Sequence, residues 1–149
     1  MTNKQSSILE RANDPVAQSL LLLTIVLIIL LITKFLTSMD LVETLPEFPW
    51  SIAATFLLFF AIVNSVSSIG AKDLNKYWGR SMMSFAGLAI GSGMLAYFFS
   101  SVAIGDARTY KWIFIVLTIG YMVFLSIIGF MKRIVEFAEE EDWQAPKKK

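Results

Sequence analysis

Asp40, Glu43 and Glu47 form the densest group of carboxylates between two apolar stretches of this chain, and Asn64, Ser65, Ser67 and Ser68 the densest group of neutral hydrogen-bonding side chains inside one. Three carboxylates raise the chemistry of a cation site. Calcium, however, takes about six to eight oxygen ligands, usually on a tight loop with a glycine, and the Lys34–Trp50 stretch has none. Spacings of three and four instead predict a single exposed helical face with a solvated acidic rim. The 149 residues also contain no histidine and no cysteine. That pair of absences removes thiolate and imidazole metal sites, histidine-ligated haem, thiol nucleophiles and the usual general base of a hydrolase. The expectation is therefore a protein that is not an enzyme, with no catalytic, cofactor-binding or metal-ligating residue and no cofactor. A formal net charge of +1 argues against nucleic acid, which needs a basic face that makes several phosphate contacts.

The elements that must position these groups are visible in where charge is missing. Residues 15–33, 48–71, 81–105 and 112–131 contain no Asp, Glu, Lys or Arg, in a chain that is 56% hydrophobic. About 20 apolar residues in a helix cross a bilayer's hydrocarbon core, and within lipid only a helix or closed barrel satisfies its own backbone. The reading is an all-α integral membrane protein with four transmembrane helices, at about 15–36, 49–70, 80–103 and 111–131. A cytoplasmic segment, 1–14, precedes this 15–131 domain, and a charged cytoplasmic tail, 132–149, follows it. Asp14-Pro15 suits an N-cap and first helical position, and Ser7–Arg11 an interfacial turn of helix. The first apolar stretch exceeds a signal peptide's h-region and lacks a small-x-small cleavage site, so it is expected to stay in the mature protein.

Lysine and arginine set the orientation. Lys4, Arg11, Lys72, Lys76, Arg80, Lys132, Arg133 and Lys147–Lys149 fall on one side, against Lys34, Arg108 and Lys111 on the other. Both termini are thus expected to be cytoplasmic, in a bacterial cytoplasmic (inner) membrane. Phe48, Trp50, Tyr97, Tyr110 and Trp112 are expected at the outer boundary, with Tyr77, Trp78 and Trp143 at the inner one, where amphipathic rings anchor. Phe35–Met39 and Phe98–Val102 each close an outgoing span, while Trp50 and Trp112 each open a returning one. Two tandem helical hairpins fit this layout, and so does the topology rule without any duplication.

Packing signals are strongest in the third span, where Ser84, Gly87 and Gly91 lie in a run of small residues that includes Gly87-x-x-x-Gly91. Small side chains let helix backbones approach closely in lipid. Gln18, Ser19, Asn64, Ser65, Ser67, Ser68, Ser81, Ser84 and Ser126 lie toward the cytoplasmic half, and Asn64 and Ser126 each follow a boundary tryptophan by 14 residues. An interhelical hydrogen-bond layer is the main reading, and a water-lined vestibule or lipid head-group site is the alternative. No ionisable residue joins the layer, which disfavours a proton or ion path. After the fourth span, Ile134, Phe137 and Ala138 could continue a helix with one apolar side ahead of the acidic run Glu139–Asp142. The functional expectation is a non-catalytic accessory or assembly subunit whose partners are the bilayer and other membrane protein subunits. A small homo-oligomeric channel or transporter for an uncharged solute is the alternative.

Overall fold

A computed structural model describes residues 14–71 and 73–144, with the side chains of Leu74 and of 141–144 left aside. The expected turn at Ser7–Arg11, Lys72, Pro146 and the tip Lys147–Lys149 lie outside the described residues, as does the side chain of Trp143. Four helices account for the fold: α1 (Pro15–Ser38), α2 (Phe48–Ile69), α3 (Leu74–Ser100) and α4 (Thr109–Gln144). No strand occurs among the described residues, and all four helices are long and apolar enough to cross a membrane.

The helix starts follow local chemistry. Asp14 caps α1 by accepting from the Val16 amide at 3.3 Å, and Pro15 takes the first position, where a missing N–H costs nothing. Asp73 caps α3, accepting from the Lys76 amide at 3.5 Å. This cap starts α3 well before the expected 80, because Lys76 and Arg80 are good helix formers; charge ends an apolar stretch without ending a helix. For the same reason α4 passes Lys132 and Arg133 and continues to Gln144. The acidic connection differs from expectation. Residues 39–47 are largely turn and irregular, so Asp40 and Glu43 share no helical face. Pro46 and Pro49 favour a break here by withholding backbone donors, and Glu47 is left to pair with Arg108 at 3.4 Å.

α3 ends on Ser101, whose φ of 57° is left-handed while its amide still bonds the Tyr97 carbonyl at 2.8 Å. A side chain there strains the backbone, and glycine would not. Ser101→Gly is therefore expected to raise stability by about 0.5–1 kcal/mol, seen as a higher midpoint of thermal unfolding in detergent; a lower midpoint would refute it.

The packing order is not the chain order. α2 and α3 form the centre, α1 lies mainly on α3, and α4 mainly on α2; among the described residues α1 and α4 do not meet. Of the helix pairs that touch, the hairpin pairs α1–α2 and α3–α4 are the least closely packed. The two hairpins are thus interleaved, and a two-fold exchange of halves would require α1 to touch α4 as α2 touches α3. End contacts give the directions. Asp14 and Arg80, 3.0 Å apart, join the starts of α1 and α3, and Lys34 lies over the Phe99 ring, 5.4 Å from its centroid, joining their ends. Trp50, at the start of α2, donates its indole N–H to the Val102 carbonyl just past the end of α3 at 3.1 Å. Lys76, Arg80, Lys132 and Arg133 therefore share one end of the bundle, here the Arg80 end, with the Trp50 end opposite.

Candidate functional site

The polar centre of the molecule is built one helical turn from an aromatic layer. Phe60 on α2, Phe85 on α3 and Tyr121 on α4 meet, with Phe85 and Tyr121 stacked at 4.4 Å and Phe60 6.3 Å from each. Four residues beyond Phe60 stands Asn64, and four before Phe85 stands Ser81. Because i and i+4 share a helix face, the aromatic contacts bring these two polar side chains together. Asn64 Oδ1 accepts from the Tyr77 hydroxyl at 2.6 Å and from Ser81 Oγ at 2.7 Å, and Ser81 Oγ is also bonded to the Tyr121 hydroxyl. A serine hydroxyl has one hydrogen. Since Ser81 gives it to Asn64, Tyr121 must donate to Ser81, so two donors of α3 converge on the Asn64 carbonyl oxygen of α2 and Tyr121 of α4 joins them through Ser81.

Asn64 is 0% exposed, and its Nδ2 has no partner among the described residues. Turning the amide over would exchange which atom is orphaned without removing the orphan. Four other hydroxyls of the expected layer bond to their own helices. Ser68 donates to the Ser65 carbonyl at 2.6 Å, Ser84 to Arg80 at 2.8 Å, Ser19 to Val16 at 2.9 Å and Ser126 to Met122 at 2.9 Å. Such back-bonding to the preceding turn satisfies a hydroxyl within one helix and links nothing. Chemically the cluster is a neutral hydrogen-bond clamp among α2, α3 and α4, with no nucleophile–base pair.

The five residues singled out for packing separate in space. Asn64 lies in the clamp. Ser84 is buried, and Gly91 faces α1, where an added Cβ would stand 3.0 Å from Leu23 Cδ1 and 3.2 Å from Cδ2. Gly87 is exposed, with nothing within 4 Å of the position its Cβ would take, and Ser126 is also exposed. Sequence reasoning missed Tyr121 as a member of the clamp. The available signal was its place as the lone tyrosine in the interior of the fourth span, since a buried phenol needs a partner for its O–H. It also assigned Trp50 and Tyr77 to boundary belts. Trp50 is instead 2% exposed, edge-on to Phe114 at 5.7 Å, while Tyr77 is half-buried against Asn64. Both rings carry a donor that an interhelical acceptor satisfies better than an interface position requires. Phe48, Tyr97 and Trp112 are exposed.

These features define a four-helix bundle with an apolar exterior and a closed neutral clamp. Neither a protein-family model nor a curated protein nor a solved structure matches the chain.

Proposed function

We propose that the four helices cross a membrane with both termini cytoplasmic and that the chain is a non-catalytic accessory or assembly subunit of a larger membrane complex. The orientation draws on the gathering of Lys76, Arg80, Lys132 and Arg133 at one end of the bundle. Under it, the α4 segment beyond Arg133 is a helical cytoplasmic extension, in the cytoplasmic membrane of a bacterium.

The observation that carries the subunit reading is the uncovered Gly87 face. Gly87 lies among the exposed Met83, Ile90 and Met94, and no described residue fills the notch it leaves. Close backbone approach at small residues holds helices together in lipid, and here that approach is open to a neighbouring chain. The solute-pore alternative, which would be lined by Asn64, Ser68, Ser84 and Ser126, has less support: Asn64 and Ser68 have no exposed surface.

Gly87→Leu separates complex formation from folding. A Cβ at this position meets no described atom within 4 Å, so the thermal midpoint of the variant is expected within a few degrees of wild type, while a chain that co-purifies with wild type in mild detergent is lost. A wild-type protein that emerges alone, or a Gly87→Leu protein that keeps its partner, would count against the reading.

A further inference from the structure

The cleft between α3 and α4 exists because these two helices both lean on α2 and scarcely on each other. At the Arg80 end it holds a cavity of about 210 Å³ lined by Asn75, Trp78, Ser126, Phe130 and Arg133, among others. Toward the Trp50 end the same interface opens into a cavity of about 650 Å³ with an almost wholly apolar wall that includes Ala89, Gly93, Met94, Phe98 and Phe114. Polar donors sit at one end and hydrocarbon at the other. Arg133 is exposed and has no ion pair among the described residues; the other described arginines, Arg80 and Arg108, pair with Asp14 and Glu47. The Trp78 indole and the Asn75 amide likewise bond no described group. Donors from α3 and α4 therefore gather at one mouth with no acceptor among the described residues to satisfy them. A guanidinium fork matches the paired oxygens of a phosphate.

Resting on the membrane-spanning reading above, we infer that this cleft binds one anionic phospholipid, its phosphate held by Arg133, Trp78 and Asn75 and an acyl chain laid between α3 and α4. Basic pockets between helices on the cytoplasmic side of a membrane are suited to acidic lipid head groups. The dimensions are comparable: Trp78 and Ala89, where the apolar chamber begins on α3, lie 11 residues apart, about 17 Å along a helix at 1.5 Å per residue, and one leaflet's hydrocarbon is about 15 Å deep. A chain that enters beside Arg133 thus reaches toward the apolar chamber.

The test is native mass spectrometry of the full chain, purified from its membranes and exchanged into micelles with equal phosphatidylglycerol and phosphatidylcholine. Wild type is expected to retain one phosphatidylglycerol, with about a fivefold preference corresponding to one cation at the lipid surface. Arg133→Gln is expected to erase the preference, while Arg80→Gln, whose partner is Asp14, keeps it. Equal retention of the two lipids, a preference unchanged in Arg133→Gln, or displacement of the lipid by soluble glycerol phosphate at matched concentration would overturn the inference, as would a protein helix cross-linked into the cleft. Absence of the chain from the membrane fraction would instead overturn the membrane reading itself, so the two failures are distinguishable.

Discussion

Asn64→Leu is expected to destabilise the bundle by about 2–3 kcal/mol, measured by denaturant titration in detergent micelles. Leucine keeps the branched outline of four side-chain heavy atoms but leaves Tyr77 and Ser81, which donate at 2.6 and 2.7 Å, without their acceptor. A hydrogen bond between membrane helices is worth about 0.6–2 kcal/mol, and a buried donor left unmade costs about 1–3 kcal/mol. Removing the already orphaned Nδ2 offsets part of that loss. The convergence of donors on one oxygen also predicts strong coupling. Ser81→Ala added to Asn64→Leu should cost about 1 kcal/mol less than the two single changes together, since the second change removes a group the first has stranded. Additive effects, or an Asn64→Leu protein as stable as wild type, would show that the clamp does not hold the helices.

Gly91→Leu should have an effect of similar size but confined to α1. A Cβ at this position stands 3.0 Å from Leu23 Cδ1, which is a flexible side-chain end, so Gly91→Ala is expected to stay within about 1 kcal/mol of wild type as Leu23 yields and helix propensity improves. Leucine cannot be accommodated by that movement, and overpacking of this kind costs about 1–3 kcal/mol. α1 meets the rest of the bundle along a stripe that includes Ser19, Leu22, Val26 and Leu30, with Leu23 and Ile29 packed beside it and Leu20, Leu21, Ile28 and Leu31 outward. It should therefore separate before α2, α3 and α4 do. Hydrogen exchange should quicken in α1 amides while those around Asn64 and Ser81 keep their protection. Gly87→Ala, facing open space, is the internal control and should leave both regions protected; uniform quickening in Gly91→Leu would reject a local effect.

The uncharged stretches alone determined that there are four long apolar helices, because charge placement needs no partner to be read. Asp14-Pro15 fixed the start of α1 in the same way, since a cap and its following proline act within a few residues. Which neighbour covers which side was decided only by the tertiary structure. On α3 the side toward α1 includes Gly91 and Leu95, with Leu95 packed among Val26, Leu30 and Ile52. Gly87, four residues back at 100° per residue, is about 40° round from Gly91. That rotation turns it toward the exposed Met83 and Met94, so a motif that looks like one surface in sequence is divided between a filled contact and an open one. Trp50 and Tyr77 show the same division: composition places an aromatic near a boundary, but the nearest acceptor, Val102 in one case and Asn64 in the other, decides whether the ring turns inward. The clamp needed α2, α3 and α4 to bring Asn64, Tyr77, Ser81 and Tyr121 together across 57 residues of chain, from 64 to 121. Helical period orders side chains around each axis, whereas the neighbour that each side chain meets depends on how the axes pack.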